Sequence, residues 1–223
     1  MVLTGLATAI VIVTLAILPF LTPQWVVFEQ GRSNAAGWTG FAPDELNAAT
    51  GAILSDLVFG PPSFDVQVRG QAVLDERERG HMRDVRTVFS GLAILAGISV
   101  ILLVGASRRA DRRATWRAVR GGAIGLAGAI VVLGGIALVA FDALFETFHQ
   151  VLFPAGSYDF DPATERLVQL FPFQFWQESA IVVGVVIVTG CALTVALAGS
   201  RAGRLRSTER ATGELAAVSG ARS

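Results

Sequence analysis

The chain contains two histidines, and each has a carboxylate at helical spacing. Asp84 comes three residues after His81, and Glu146 comes three residues before His149, so in a helix each carboxylate shares a face with its imidazole. A carboxylate beside an imidazole fixes the tautomer of the ring and raises its basicity. These two pairs therefore have the residue types required for general acid–base catalysis.

Two other interpretations of the same residues remain open. Glu-x-x-His on a helix is also a metal-ligand pattern, and it occurs here from Glu146 to His149. His81 and Asp84 would then have to complete the ligand set, because there is no second Glu-x-x-His. Alternatively, both histidines are ordinary side chains of a polar cap at a membrane interface.

Composition and charge exclude several classes of protein. Hydrophobic residues make up 52% of the 223 residues and charged residues only 16%, well below the roughly 25% charge of a typical soluble domain. The 18 basic residues balance 18 acidic ones, which argues against a nucleic-acid partner. The single cysteine, Cys191, lies in an apolar run and excludes an internal disulfide or a cysteine-based zinc cluster.

Long uncharged runs predict the elements that must position the histidines. A helix needs about 20 apolar residues to cross the hydrocarbon core of a bilayer. Four runs meet this requirement: residues 2–21, 87–107, 121–141 and 179–200. The sequence therefore predicts an all-α membrane protein, with a four-transmembrane-helix bundle over residues 1–202 and a disordered tail over residues 203–223.

The distribution of arginine predicts the orientation. The short connection between the second and third runs and the tail after the fourth are rich in arginine, whereas residues 142–178 carry one arginine and six acids. By the positive-inside rule, we expect both termini to be cytoplasmic and the long loops 22–86 and 142–178 to face outward. The protein would then be a multi-pass protein of the plasma or inner membrane, with its active face outside the cytoplasm.

The outer loops carry the features expected of a structured cap. Residues 43–60 begin with Pro43 and two acids and then place apolar residues at helical spacing, which predicts an amphipathic helix. Phe64, Val66 and Val68 alternate with polar residues, as in a short strand or extended segment. His81 and His149 fall at the outer ends of two antiparallel neighbouring spans, roughly 9 to 12 Å beyond the hydrocarbon if the helices continue. We therefore expect the two imidazoles to converge at the depth of the lipid ester groups.

Residues near the histidines are candidates for substrate contact. Arg83 either holds a lipid phosphate or a peptide carbonyl, or extends along a helix end toward water. Asp161 either binds a substrate backbone or turns the loop at Asp161–Pro162. Phe153 belongs to an apolar group around His149 in which a charged pair would be poorly screened.

Several of these residues form a recognisable pattern. It comprises GHMRDVR over residues 80–86, Phe148–His149 followed by Phe153, an aromatic Asp-Pro segment at residues 160–162, and Leu-Phe-Pro before an aromatic pair at residues 170–176. The pattern resembles that of the small four-span membrane proteins related to the lipoprotein intramolecular transacylase. Tyr158 stands near a position where that family often has Trp, and Glu165 where Asp is common.

The resemblance implies a reaction on bacterial lipoproteins. Family members move the sn-2 acyl chain of diacylglyceryl-cysteine to the α-amine of the same cysteine, so the implied partners are the lipoprotein and membrane lipid. In this hypothesis His149, oriented by Glu146, is the base toward the amine. His81, oriented by Asp84, stabilises the oxyanion or protonates the leaving oxygen, and the two roles can be exchanged. Phe153, Tyr158, Arg83 and Asp161 would contact substrate, and no cofactor or metal is expected.

A function of another class remains the alternative. A non-enzymatic or metal-binding membrane protein with a partner-binding cap outside the cytoplasm would have the same four spans. The paired histidines and carboxylates distinguish the two, because a scaffold has no need of them.

Overall fold

The computed structural model describes residues 1–108 and 111–220, with side chains described as far as Gly203. Its secondary structure is almost entirely helical in these ranges. The elements are α1 (Val2–Ile17) with a 3-10 turn (Leu18–Leu21), α2 (Pro23–Arg32), α3 (Ala35–Thr39), α4 (Pro43–Val58), β1 (Gln67–Val68), β2 (Gln71–Ala72), α5 (Glu76–Ser107), α6 (Arg112–Leu152), α7 (Arg166–Leu170) and α8 (Phe173–Gly220).

Four of the helical segments are long and apolar enough to cross a membrane: Val2–Leu21, Glu76–Ser107, Arg112–Leu152 and Phe173–Gly203. The prediction of an all-α membrane protein with four spans is therefore confirmed. The helices α5, α6 and α8 also extend past the apolar runs into the two long loops, so charged and aromatic residues continue three of the membrane helices.

The predicted disordered tail, residues 203–223, falls mostly on residues whose side chains lie outside the described part of the chain. The backbone of α8 is helical to Gly220, and residues 221–223 are not described. Disorder of this tail and its cytoplasmic location stay predictions.

The chain divides into two compact units, and each of the four long helices contributes to both. The first unit contains residues 1–13, 95–131 and α8 from Val186 onward. In this unit α1 and α6 approach closely at Gly5 and Gly122, where a Cβ atom on Gly122 would overlap the backbone of Gly5. Small residues at such a crossing allow two membrane helices to pack backbone against backbone.

The second unit, residues 14–94 and 132–185, contains both histidines and the larger hydrophobic core. The predicted amphipathic helix is α4, which buries Leu46, Ala49, Ile53, Leu54 and Leu57 in this core. Its start is stabilised by Glu45, whose carboxylate accepts a hydrogen bond from the Ala42 amide at 2.9 Å. The spacing of apolar residues thus gave the buried face of α4 correctly.

A two-stranded hairpin follows α4. Phe64, Val66 and Val68 are buried, as their alternation predicted, and strand β1 pairs antiparallel with β2. The connecting residues Arg69 and Gly70 both have positive φ, 53° and 74°. A two-residue hairpin loop with two positive φ angles matches the twist of antiparallel strands, so this turn fixes the register.

The outer part of α6 is set apart by a break in the helix. Ala140 has non-helical angles, φ −148° and ψ 46°, and divides α6 into a long apolar segment and a shorter one that carries His149. Because of this break, the approach of His149 to α5 does not follow from extending the apolar span in a straight line.

Glu78 fixes the start of α5, one turn before His81. Its carboxylate accepts hydrogen bonds from the amides of Asp75 (2.7 Å) and Leu167 (2.6 Å), and the Glu78 amide donates to the Asp75 carboxylate (2.8 Å). The reciprocal bonds with Asp75 form a capping box, and the bond to Leu167 joins the start of α7 to the start of α5. Glu78 is only 2% exposed, so these bonds are made away from water.

A second buried polar contact joins α2, α4 and α7. Gln30 of α2 donates to the Leu170 carbonyl of α7 at 3.0 Å, and Thr50 of α4 donates to the Gln30 side-chain oxygen at 2.9 Å. Gln30 and Thr50 are 1% and 0% exposed. Because a buried amide is costly without partners, these bonds specify how α2, α4 and α7 pack.

We expect Glu78→Ala to lower the free energy of unfolding by about 2 kcal/mol, because it leaves the buried Leu167 amide without its acceptor. The matched control is Glu76→Ala, which removes a 74% exposed carboxylate from the same turn and should cost less than about 1 kcal/mol. Denaturant unfolding of the detergent-solubilised protein measures both. Equal losses in the two variants would contradict the role assigned to Glu78.

Candidate functional site

The two histidines meet in the second unit, at the ends of two different helices. His81 belongs to α5 and His149 to the outer segment of α6, and their ring centroids lie 6.0 Å apart with the planes inclined by 23°. Residues 68 positions apart in the chain thus form one stacked pair, as the antiparallel arrangement of the spans predicted. The two imidazoles are therefore close enough for one substrate group to contact both of them.

Aromatic rings enclose His81. Phe153 and Phe160 make T-shaped contacts with it, with centroid distances of 4.8 and 5.5 Å, and His81 is only 7% exposed. Its Nδ1 atom is buried and has no hydrogen-bond partner among the described residues. Because the ring is buried, a positive charge on it would be poorly solvated, which favours the neutral imidazole.

The hydrogen bond made by His149 defines its tautomer. Its Nδ1 lies 2.7 Å from the carbonyl oxygen of Phe145, one helical turn earlier. A carbonyl only accepts hydrogen bonds, so Nδ1 carries the proton and, in the neutral ring, Nε2 holds the free electron pair. The helix backbone therefore presents Nε2 of His149 as a proton acceptor.

The carboxylates do not make the contacts that their spacing predicted. Glu146 accepts hydrogen bonds from Gln150 at 2.8 Å and from the Tyr158 hydroxyl at 3.3 Å. Among the described residues no hydrogen bond joins His81 to Asp84 or His149 to Glu146. A shared helix face brings side chains near each other, but here the Phe145 carbonyl satisfies His149 Nδ1 first.

Two of the residues predicted to contact substrate lie at the histidines. Phe153 lies against both rings, 4.8 Å from His81 and 5.5 Å from His149, and is 7% exposed. The Tyr158 ring lies 5.2 Å from His149, and its hydroxyl bonds to Glu146. Burial raises the pKa of the Tyr158 hydroxyl, and the Glu146 charge adds to the effect, so this group stays protonated and donates.

The other two predicted residues are engaged elsewhere. Arg83 forms an ion pair with Glu76 at 2.6 Å. Asp161 accepts a hydrogen bond from the Ala163 amide at 2.8 Å, which turns the exposed loop before α7, as one of its two interpretations predicted.

Arg77 was missed in the sequence analysis. It donates to the Asp159 carbonyl and to Glu165, and its guanidinium lies over the ring of Phe160. The available signal was its position four residues before His81, on the same face of α5.

A metal site has little support from the side-chain arrangement. Within the part of the chain whose side chains are described, no group of three or more His, Cys, Asp or Glu residues is placed to hold a metal ion.

Comparisons with known proteins agree with this architecture. A solved structure of the membrane integral lipoprotein intramolecular transacylase Lit from Bacillus cereus is similar, with a TM-score of 0.74 and 17% identity, over 92% of this chain and 95% of that one. Two structures of Bacillus cereus Lit variants, with one histidine replaced by arginine or by alanine, have TM-scores of 0.66 and 0.65. Their identities are 18% and 20%, and they cover 92% of this chain and 92% and 93% of theirs. No curated protein matches the sequence.

The sequence itself provides the family assignment. The family model described as lipoprotein intramolecular transacylase Lit matches residues 2–176, more than three quarters of the chain and the whole region that carries the histidine pair. The four membrane-spanning helices and the two neighbouring imidazoles are consistent with this match. The chain belongs to the lipoprotein intramolecular transacylase Lit family.

Proposed function

We propose that this protein is a lipoprotein intramolecular transacylase that moves the sn-2 acyl chain of diacylglyceryl-cysteine to the α-amine of the same cysteine. One proton leaves the α-ammonium through the base to solvent before the attack. The neutral nitrogen then attacks the ester carbonyl, the carbonyl–oxygen bond to glycerol breaks, and the second proton lost by the nitrogen ends on the glycerol oxygen. The products are an N-acyl cysteine and a free glycerol hydroxyl, so no water or cofactor is consumed. The contact between His81 and His149 is the observation that carries this proposal.

His149 has the arrangement of the general base. An α-ammonium has a pKa near 8 and must lose a proton before its nitrogen can attack. The bond from Nδ1 to the Phe145 carbonyl leaves Nε2 of His149 free to accept that proton. This hydrogen bond replaces the orientation by Glu146 that the sequence suggested.

His81 has the surroundings of the second catalytic group. A ring shielded from water by Phe153 and Phe160 interacts strongly with charge that develops beside it. We assign to His81 the stabilisation of the oxyanion or the transfer of a proton to the leaving glycerol oxygen, and the exchange of roles with His149 remains the alternative. Amine and ester belong to one molecule, so proximity supplies much of the rate enhancement and no Ser or Cys nucleophile is needed.

The surroundings of the pair suit a lipid ester with a peptide attached. Phe153 covers the histidines on one side, and Tyr158 stacks beside His149 with a hydroxyl that remains a donor. We propose that these rings contact the diacylglyceryl group, while the arginine distribution orients this face outward and both termini toward the cytoplasm.

We expect His149→Ala to lower the rate of acyl transfer by about 10² to 10⁴, since it removes the proton acceptor. Purified protein in lipid would be given a diacylglyceryl lipopeptide, with mass spectrometry of the N-terminal cysteine as the assay. The variant should remain folded, because His149 is only half-buried and is not part of the hydrophobic core. Formation of the lyso product at the parent rate would refute the proposed mechanism.

Glu146→Gln tests how His149 is oriented. Because Phe145 and not Glu146 bonds to the ring, we expect this variant to keep its rate within about tenfold of the parent, far less than the loss expected for a missing acid–base group. The same lipopeptide assay measures it. A loss as large as that of His149→Ala would restore Glu146 as the orienting group.

Cysteine labelling tests the orientation. In a Cys191→Ser background, Ser63→Cys lies on the first long loop and Ser107→Cys at the arginine-rich connection, and both serines are exposed. A membrane-impermeant maleimide should label Ser63→Cys in intact cells and Ser107→Cys only after lysis. The reverse pattern would overturn the proposed topology.

A further inference from the structure

One loop covers the histidine pair. The segment between α6 and α7 carries Phe153 and Phe160, and both rings make T-shaped contacts with His81. The 7% exposure of His81 therefore depends on where this segment lies. A change in the position of Phe160 would open one side of the ring to water or substrate.

The part of the segment that carries Phe160 is a closed turn. The Glu165 amide donates to the Asp161 carbonyl at 2.9 Å, and the Asp161 amide donates back to the Glu165 carboxylate. The Ala163 amide bonds to the Asp161 side chain at 2.8 Å. Residues 161–165 are thus held together by their own hydrogen bonds. Residues 159–165, which also include Asp159 and Phe160 directly before this turn, are here called the cover turn, and a group that binds Glu165 is tied to the part that follows Phe160.

Arg77 makes three different contacts with the cover turn. It donates to the Asp159 carbonyl at 2.7 Å, pairs with the Glu165 carboxylate, and lies over Phe160 with 4.6 Å from the guanidinium carbon to the ring centroid. A planar guanidinium can make all three contacts at once, which a lysine cannot. The cover turn has a second attachment at the Pro162 carbonyl, which accepts from Gln169 of α7 at 2.9 Å.

Through its position on α5, Arg77 connects the cover turn to the helix that carries His81. Arg77 lies one helical turn before His81, so a single rigid helix carries both the histidine and the cation that holds its cover. Gln169 ties the turn to α7, whereas Arg77 ties it to the helix of the catalytic group. Arg77 therefore sets the distance between Phe160 and His81.

We propose that Arg77 is a positioning residue that holds the cover turn against the histidine pair, keeping Phe160 on His81 and water away from the imidazole. The effect on turnover rests on the proposed function, whereas the effect on the accessibility of His81 does not. Arg77 acts through Phe160 and Glu165 and does not itself touch the reacting groups.

Chemical modification reports the position of the cover directly. The chain has only two histidines, so diethyl pyrocarbonate modification of His81 can be followed by mass spectrometry of its peptide. We expect Arg77→Gln to speed modification of His81 at least about fivefold, the change in local opening that a loss of about 1 kcal/mol produces. The modification rate of Arg77→Lys should lie between those of this variant and the parent, because lysine keeps the positive charge but lacks the planar guanidinium with its several fixed donors.

The matched control is Arg69→Gln. Arg69 also makes a two-pronged ion pair in the same unit, but its partner is Glu45 of α4 and not a residue of the cover turn. This variant should leave the modification rate of His81 at the parent value. Glu165→Gln removes the ion pair with Arg77 from the side of the loop, and it should reproduce the effect of Arg77→Gln. The test therefore does not depend on the folding of a single variant.

Turnover provides the second measurement. We expect Arg77→Gln to lower kcat about tenfold with little change in KM, since a displaced wall misaligns His81 without removing a substrate contact. An unchanged modification rate of His81 in both Arg77→Gln and Glu165→Gln would overturn the proposal. If the parent makes no lyso product but His81 becomes accessible in these variants, the proposed function fails and the positioning role of Arg77 stands.

Discussion

The contact between two imidazoles supplied by different helices depends on the packing of the second unit. The ring centroids of His81 and His149 are 6.0 Å apart, and in the proposed mechanism a displacement of about one ångström would cost about two orders of magnitude in rate. Among the residues whose side chains are described, no charged partner is hydrogen-bonded to either ring. Their alignment therefore depends on helix ends, backbone carbonyls and packed aromatic rings, which are rigid only when the surrounding core is complete.

Buried polar residues make that core specific. Apolar side chains from α2, α4, the hairpin and α7 fill the space, but hydrophobic contact alone does not select one arrangement of several small elements. Gln30 and Thr50 fix α2, α4 and α7 through directional hydrogen bonds, and Glu78 joins the starts of α5 and α7. An alternative packing would leave these buried groups unpaired, at a cost of about 1 to 3 kcal/mol for each.

The similarity to the Bacillus cereus transacylase structures shows how loosely the fold constrains the sequence. Only 17–20% of residues are identical, yet 92% of this chain superposes on the same architecture. Membrane helices need length and apolarity more than particular residues. The match to the family model ends at Trp176, at the start of α8, so the matched residues precede most of the fourth span.

The sequence by itself determined the four spans and the buried face of α4, because hydrophobic length and helical periodicity are local properties. It also placed His81 and His149 at the same ends of two neighbouring spans, but their approach depends on the break at Ala140, which hydrophobic length does not reveal. Only the tertiary structure decided which groups touch the imidazoles. Residue spacing placed Glu146 on the same face as His149. In the structure, however, His149 bonds to the Phe145 carbonyl, and Glu146 accepts a hydrogen bond from the Tyr158 hydroxyl. Arg77 reaches Glu165 across 88 positions of the chain. Such contacts are set by the packing of separate elements, and one helix pattern cannot reveal them.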